Sequence, residues 1–281
     1  MFPRKSTTDS IKVYPYFISL KIALHLRLIK INDMLYSMLL ALLFAIPNTF
    51  IKNTDARVYE LRIYHCEDGK LPDLINRFQH HTTKIFERHG MENIGYWLPT
   101  AADNNSLYYI LAYPSMAARD TAWAHFGKDE EWKKVRAESE VNGKIVKSVE
   151  SIFLNTEDFS PKVTSSIKSP ERVFELRTYT CLPDQLTKLE ARFRDHTIKL
   201  FKKHGMTNIA YWKTIEKNPV GQSKLVYILA HASEAAAKKS FDDFRDDKKW
   251  IAVRDMSEAN GKIVDHIESV FMKPLSFSKY K

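Results

Sequence analysis

The chain has 281 residues, 44% hydrophobic and 27% charged, a composition typical of a globular protein with room for two domains of ordinary size. The formal net charge is +9, and residues 1–33 alone contribute +4, from six lysines and arginines against two aspartates. The remaining positive charge is spread among many acidic residues, so we exclude nucleic acid as a partner, because that needs a clustered basic stripe.

Residues 1–56 form a leader whose pattern differs from the rest of the chain. Residues 34–46 are apolar except for one serine, follow a basic stretch and stop at Pro47. This length is typical of the hydrophobic region of a signal peptide and is short for a transmembrane helix. We therefore expect export, to the periplasm or as a secreted protein, with cleavage before Arg57 and no stable membrane association afterwards. A membrane-anchored protein and a mitochondrial protein with a transit peptide are the alternatives.

The first module, residues 57–155, begins with a strand and a helix. Apolar and charged residues alternate from Val58 to Tyr64, which is the period of a strand with one buried face. From Lys70 to Arg88 the apolar residues recur every three or four positions, which predicts an amphipathic helix ending at Gly90. The later predicted elements are two strands, two short capped helices and a last strand: 93–98, 107–113, helices after Ser115 and Asp129, and 145–154.

The sequence of this module occurs twice in the chain. Residues 89–97, HGMENIGYW, recur at 204–212 as HGMTNIAYW, a shift of 115 positions. A three-residue insertion within 216–223 raises the shift to 118 for later positions, so that Trp132 corresponds to Trp250. Internal similarity over this length indicates two copies of one folding unit.

The repeat also sets the domain boundaries. Residues 156–171 contain four serines and two prolines without apolar periodicity, which predicts a linker. The second module then covers residues 172–273 and repeats the order of strands and helices. Residues 274–281 are left as a tail.

The order β-α-β-β-α-β predicts an α+β fold, a ferredoxin-like antiparallel sheet with helices on one face. The predicted strands also carry aromatic residues on both faces: Tyr96, Trp97, Tyr108 and Tyr109. One module alone would expose its second apolar face to water. We therefore expect the two tandem modules to pack sheet to sheet within the chain, in a pseudo-twofold arrangement.

Several motifs shared by both modules together resemble the NIPSNAP domain. They are the Val/Phe-Glu-Leu-Arg-x-Tyr strand, the helix ending in His-Gly-Met, the Asn-Ile-x-Tyr-Trp strand and the Trp-x-x-Val-Arg helix. The resemblance covers residues 58–155 and 173–272 and implies the dimeric α/β-barrel fold, in which paired sheets close into a barrel. The best-known family members are mitochondrial proteins that act through protein partners, without an agreed enzymatic activity. This chain differs from them in its two full-length modules and its export-like leader.

The best candidates for a binding site are one histidine in each module. His81 lies three residues after Phe78 and four before Ile85, so a regular helix would turn it towards the sheet, and His196 has the same setting. Such an imidazole either bonds to a neighbouring strand as a structural residue or serves a pocket, where its pKa suits proton transfer. The other residues of the candidate pocket lie on strands: Arg62, Arg177, Tyr64, Tyr179, Trp97 and Trp212.

Other repeated residues are assigned structural roles. Cys66 and Cys181 occupy equivalent positions, and we expect free thiols rather than a disulfide, since nothing places them within bridging distance. The Trp-x-x-Val-Arg helices are expected to carry cation–π pairs, Trp132 with Arg136 in the first module. Glu60 alternates with apolar residues and is expected to pair with a nearby arginine.

The sequence contains no common catalytic, metal or cofactor motif: no His-Glu-x-x-His, Cys-x-x-Cys, Gly-x-x-x-x-Gly-Lys or Gly-x-Ser-x-Gly. We therefore predict no metal and no cofactor, and assign no catalytic residue. The main hypothesis is a non-catalytic module that binds a small molecule or a protein, and it is compatible with a homo-oligomer. The alternative is a cofactor-light oxygenase or a haem-handling enzyme, which rests on the fold alone.

Overall fold

The computed structural model describes residues 55–168 and 170–281, so the predicted leader segment 34–46 lies outside the described residues. The first repeat contains β1 (Val58–Cys66), α1 (Leu71–Arg77), α2 (Thr83–Arg88), β2 (Glu92–Pro99), β3 (Ser106–Tyr113), α3 (Met116–Lys128), α4 (Glu130–Ser139) and β4 (Val146–Thr156). The second contains β5 (Val173–Cys181), α5 (Leu186–Arg192), α6 (Ile198–Lys203), β6 (Thr207–Thr214), β7 (Lys224–His231), α7 (Glu234–Arg245), α8 (Lys248–Ser257) and β8 (Val264–Pro274). Both repeats therefore have the predicted order of elements.

The eight strands form one closed antiparallel barrel in the order β1-β3-β2-β8-β5-β7-β6-β4. Each repeat supplies four neighbouring strands. The two sheets join where β2 pairs with β8, with Trp97 opposite Pro274, and where β4 pairs with β6, with Thr156 opposite Trp212. The α+β barrel of two tandem repeats is thus confirmed, and closure pairs strand edges that would otherwise stay open.

Successive strand residues point alternately into the barrel and towards the helices outside it. On β1, Tyr59 and Leu61 belong to the interior core, whereas Glu60 and Arg62 contact side chains of α3. The interior core combines large side chains of both repeats: Tyr59, Trp97, Phe174, Trp212 and Met272. Separate cores lie between each sheet and its own helices. The interior core therefore needs both repeats, as the aromatic strands indicated.

The long helix of each repeat contains one turn of π-helix, Phe78–Thr82 in the first and Phe193–Thr197 in the second. A π-turn accommodates an extra residue, so the following side chains rotate away from the α-helical register. Thr82 is buried and its hydroxyl donates to the Arg77 carbonyl at 3.2 Å, while His81 is only half-buried. The regular periodicity that turned His81 towards the sheet does not hold here.

The segments predicted as linker and tail each pack on the opposite repeat. The Ser160 hydroxyl accepts the backbone N–H of Tyr211 at 2.9 Å, and the Ser278 hydroxyl accepts that of Tyr96 at 3.1 Å. One residue of each segment belongs to the interior core: Val163 and Tyr280. These segments are therefore crossing arms, each from one repeat onto the sheet of the other.

Both short-helix N-caps form as predicted. The Ser115 hydroxyl accepts the N–H of Ala118 at 3.1 Å, and the Asp129 carboxylate accepts the N–H of Trp132 at 2.9 Å. Each cap satisfies a backbone donor that has no partner within its helix. Within residues 55–168 and 170–281, no helix is long and apolar enough to cross a membrane.

Candidate functional site

The sheet separates the strand residues of the predicted pocket into two groups. The Arg62 guanidinium donates to the Tyr64 hydroxyl at 3.3 Å on the helix side of the first sheet. Arg177 and Tyr179 form the same pair in the second repeat, at 3.4 Å. The remaining two residues lie in the barrel interior and are each 1% exposed: Trp97 and Trp212.

The two predicted histidines are half-buried, and neither imidazole hydrogen-bonds to another described residue. His196 lines a cavity of about 320 Å³ between α5 and α8, together with Arg192 and Met256. Neither Arg177 nor Tyr179 lines that cavity. The structure therefore places His196 apart from the arginine–tyrosine pair of its own repeat.

The cation–π pair expected within the Trp-x-x-Val-Arg helix forms with a different arginine. The Arg77 guanidinium of α1 lies 5.3 Å from the ring of Trp132. Arg136 instead points outward and pairs with Glu140 at 3.3 Å, and it is mostly exposed. The prediction of Arg136 was wrong because an arginine one turn away on the exposed face does not pack on the tryptophan ring as a buried arginine from another helix does.

Both cysteines are free and buried, as predicted. Burial disfavours the thiolate, which raises the pKa of Cys66 to about 11 and that of Cys181 to about 12. Among the described residues, no cluster of three or more histidines, cysteines, aspartates or glutamates is arranged to hold a metal ion.

A fully buried glutamate, Glu60, organises the helix side of the first sheet. Its carboxylate accepts six hydrogen bonds from five side chains, two of them from Arg119: Arg62, Tyr113, Arg119, Trp123 and Ser151. Burial alone would raise the pKa of Glu60, but the Arg119 hydrogen bond and the charge of Arg62 outweigh it and lower this pKa to about 2. Glu60 is therefore ionised at neutral pH. The predicted arginine pairing is confirmed.

The corresponding carboxylate in the second repeat, Glu175, has fewer donors. It accepts hydrogen bonds from Arg177 at 2.5 Å, Ser269 at 2.6 Å and His231 at 3.0 Å. Burial opposes ionisation, yet the hydrogen bond from His231 and the charge of Arg177 lower the pKa of Glu175 below its ordinary value. The repeats differ at three donors around the carboxylate: Tyr113, Trp123 and Arg119 correspond to His231, Phe241 and Ala237.

Next to Glu175 there is an open cleft of about 510 Å³ between the second sheet and α7. Its inner wall is formed by residues of β5, β8 and α7: Glu175, Arg177, Phe241, Ser269 and Phe271. Its mouth carries charged side chains: Glu234, Lys238 and Arg245. In the first repeat the guanidinium of Arg119 contacts the counterparts of this wall, because it bonds to Glu60 and lies 5.0 Å from the ring of Phe153.

His231 supports the cleft from behind. It is 3% exposed, and its ring lies 6.2 Å from Phe241 and 6.3 Å from Phe271. An ionised carboxylate only accepts, so the hydrogen between His231 and Glu175 resides on Nε2 of the imidazole. Its Nδ1 atom has no hydrogen-bond partner in the described part of the chain. In the neutral ring Nδ1 is an unused acceptor.

The second repeat also contains a buried polar cluster that the first lacks. Lys213 lies 3.0 Å from Glu190 and 3.8 Å from Glu157, which is 2% exposed. The counterparts at the first sheet are all apolar: Leu98, Ile75 and, on the crossing tail, Leu275. Burial, reinforced by the hydrogen bond and charge of Glu190, raises the pKa of Glu157 to about 8. This cluster lies where the linker arm crosses onto the second sheet.

Sequence reasoning named Arg62, Arg177 and their tyrosines but not the open cleft. The sequence signal was the replacement of Arg119 by Ala237 at the 118-residue shift. The replacement could not be interpreted from the sequence, because only the structure shows that Arg119 bonds to a carboxylate 59 positions earlier in the chain.

The NIPSNAP family profile matches the chain twice, over residues 59–161 and 174–279. No curated protein matches the chain. A Lactobacillus acidophilus structure provisionally named a monooxygenase is 12% identical, with a TM-score of 0.51 over 78% of this chain and 94% of its own. A similarly named Fusobacterium nucleatum structure has 10% identity and a TM-score of 0.54, over 80% and 94%. A Burkholderia xenovorans NIPSNAP domain protein is 23% identical, with a TM-score of 0.33, over 37% and 99%.

The two monooxygenase-named structures share the fold with this chain, and at such low identity they lend it no activity. The family match is different in kind because it spans both repeats and most of the chain. It also extends into both crossing arms, beyond the predicted module ends at 155 and 273. The chain belongs to the NIPSNAP family.

Proposed function

We propose that this protein is a non-catalytic binding module that holds a small molecule in the cleft between β5, β8 and α7. One observation carries the proposal: Ala237 replaces Arg119, and the space next to the buried carboxylate is therefore open in the second repeat. In the first repeat, ion pairs within the chain occupy the equivalent space. One chain would then bind one ligand.

The size and lining of the cleft support this function. Small-molecule sites usually measure about 300–1,000 Å³ and combine apolar walls with a few fixed polar groups. The cleft, at about 510 Å³, presents the rings of Phe241 and Phe271 beside the polar groups of Glu175 and Ser269. Buried hydrogen bonds hold the carboxylate in place, so the polar part of the site exists before a ligand arrives.

The electrostatics of the cleft favour binding over proton transfer. A general base works best when its pKa lies near the operating pH. The pKa of Glu175 is instead below its ordinary value. Its Oε1 atom already accepts from Arg177 and Ser269, and its Oε2 atom from His231. Such a carboxylate orients a ligand more readily than it removes a proton.

The candidate pocket around His81 and His196 remains a secondary proposal. For His196 the half-buried ring and the adjacent cavity support it. We also infer that a pseudo-twofold axis relates the two repeats. Equivalent sheet junctions and equivalent arm contacts, made by Ser160 and Ser278, support this arrangement. Export of the mature protein is likewise proposed, on the pattern of residues 34–46.

Binding in the cleft is tested by placing a bulky side chain at its mouth. Ala235 is exposed on α7 at the edge of the cleft, and Ala117 is its exposed counterpart on α3. A fragment set containing cationic, neutral and anionic compounds is screened by ligand-observed NMR against wild type, Ala235→Trp and Ala117→Trp. We expect hits that Ala235→Trp loses and Ala117→Trp keeps. An absence of hits, or hits equally strong with both variants, would refute the proposed site.

A further inference from the structure

We propose that the cleft of the second repeat selects a cation: a guanidinium, an amidinium or a protonated amine on an aromatic or apolar body. This inference rests on the proposed function and specifies the class of ligand. Its basis is that the first repeat already holds such a group, the side chain of Arg119, in the equivalent place. The chain therefore contains an internal example of what the cleft accommodates.

The geometry around Arg119 shows how the cation is held. Its Nη2 donates to Oε1 of Glu60 at 3.0 Å, and its Nε donates to Oε2 at 3.2 Å. The guanidinium also lies 5.0 Å from the ring of Phe153 and 5.7 Å from that of Trp123. A paired carboxylate and flanking aromatic rings are the two features by which proteins hold planar cations.

The second repeat keeps these partners and lacks the cation. Glu175, Phe271 and Phe241 correspond to Glu60, Phe153 and Trp123, and all three line the cleft. The rings preserve the aromatic surface although the indole N–H is lost. Where the first carboxylate pairs with two arginines, the second pairs with one arginine and a histidine.

The Glu175 carboxylate at the inner wall of the cleft keeps unused acceptor capacity. Oε2 of Glu175 receives one hydrogen bond, from His231, whereas Oε2 of Glu60 receives three. A carboxylate oxygen with unused acceptor capacity is completed by a donor, and guanidinium and ammonium groups only donate.

The two basic residues at the mouth are partly neutralised within the chain. Lys238 and Arg245 both form ion pairs with Asp242, which offsets part of their field. Glu234 also lines the mouth, and it forms no ion pair with any described residue. Its counterpart in the first repeat is the uncharged Met116. The second repeat thus gains an acid at the entrance and loses an arginine inside.

Selectivity for charge is tested with three probes of nearly the same shape: benzamidine, benzamide and benzoate. Each is titrated into the full chain by isothermal titration calorimetry. We expect benzamidine to bind with a stoichiometry of one and at least about tenfold more tightly than benzamide or benzoate, since only the amidinium supplies charged donors. Its affinity should fall as salt is raised, because part of the attraction is electrostatic.

Two substitutions give each repeat the residue that the other repeat carries at this position. Ala237→Arg supplies the internal cation and should abolish benzamidine binding. Arg119→Ala empties the equivalent place in the first repeat and should raise the benzamidine stoichiometry from one to two. Circular dichroism confirms the fold of each variant. If Ala237→Arg fails to fold, the stoichiometry of Arg119→Ala decides the question, since the shorter side chain introduces no steric clash.

The outcomes separate this inference from the proposed function. If benzamide or benzoate binds as tightly as benzamidine and Ala237→Arg removes that binding, the cleft is a ligand site and its preference for cations is wrong. If no probe binds wild type at millimolar concentration, or if Arg119→Ala still binds only one benzamidine, the cationic class is also wrong. The fragment screen with Ala235→Trp then judges the cleft independently.

Discussion

Arg119 donates to Glu60 across 3.0 Å in the first repeat, whereas the residue equivalent to Arg119 in the second is Ala237, which leaves Glu175 facing an open cleft. Two copies of one module therefore differ at the point where a helix meets the buried carboxylate of its sheet. The first copy satisfies that carboxylate from within the chain. The second leaves room for an external partner.

Arg119→Ala should destabilise the protein even if it creates a binding site. The change removes two charge-assisted hydrogen bonds to Glu60, which is fully buried. We expect a loss of about 1–3 kcal/mol in the free energy of unfolding, measured by urea denaturation. The matched control is Arg136→Ala, whose exposed pair with Glu140 should contribute less than about 0.5 kcal/mol. Equal losses from the two variants would contradict the internal role of Arg119.

Glu157→Gln should stabilise the protein in a pH-dependent way. The pKa of Glu157 is raised to about 8 in the folded state, above its ordinary value of 4.5, so the folded state retains a proton that the unfolded state loses between these values. The contribution of Glu157 to stability is therefore full below pH 4.5 and falls as the pH rises towards 8.

A glutamine keeps the shape of the protonated acid and does not ionise. We expect the gain in unfolding free energy to be small near pH 5 and about 1–3 kcal/mol near pH 9, measured by urea denaturation at both values. Glu216→Gln, at an exposed position of the same repeat, serves as the control and should show no such dependence. A gain that is the same at both pH values would show that Glu157 is ionised in the folded protein.

The first repeat expressed alone should form a homodimer. Residues 57–171 contain β1 to β4 and the first crossing arm, and a monomer would expose interior residues such as Tyr59 and Trp97 to water. Two copies can cover each other's sheet and exchange their arms, as the proposed pseudo-twofold arrangement implies. Analytical ultracentrifugation measures the oligomeric state. A soluble monomer with a cooperative melting transition would argue against a shared core.

The leader hypothesis is tested by the mass of the native protein. Export with cleavage predicts a soluble species that begins at Arg57, the residue before the first strand. Such cleavage would remove Asp55, which accepts hydrogen bonds from Arg57 and Tyr59, so the new N-terminus should lower stability slightly. Intact mass spectrometry of membrane and soluble fractions is the measurement, and a full-length species confined to membranes would support the anchor instead.

His81→Phe separates a structural histidine from one that serves a ligand. His81 is half-buried and its imidazole has no hydrogen-bond partner among the described residues, so its replacement leaves no buried donor or acceptor unpaired. We expect the melting temperature to stay within a few degrees of wild type. Thr82→Val is the comparison, because it removes the buried hydroxyl that donates to Arg77 and should lower stability by about 1 kcal/mol. A larger loss from His81→Phe would restore the structural role.

The sequence by itself determined the features that depend on neighbours in the chain. The N-caps Ser115 and Asp129 form because a side chain reaches a backbone N–H only three residues away. The alternation from Val58 onwards placed Tyr59 and Glu60 on opposite faces of the sheet. The exact spacing of the repeat identified two modules, and the aromatic residues on both faces indicated a shared core.

Only the tertiary structure decided the features that depend on contacts between distant residues. The π-turn displaced His81 from its predicted face, and the buried arginine that reached Trp132 came from α1. Ser160 and Ser278 lie 118 positions apart in the repeat, but their crossing to opposite sheets follows from how the barrel closes. The proposed cleft site has the same origin, because the absence of a guanidinium at Ala237 matters only where packing has already buried Glu175.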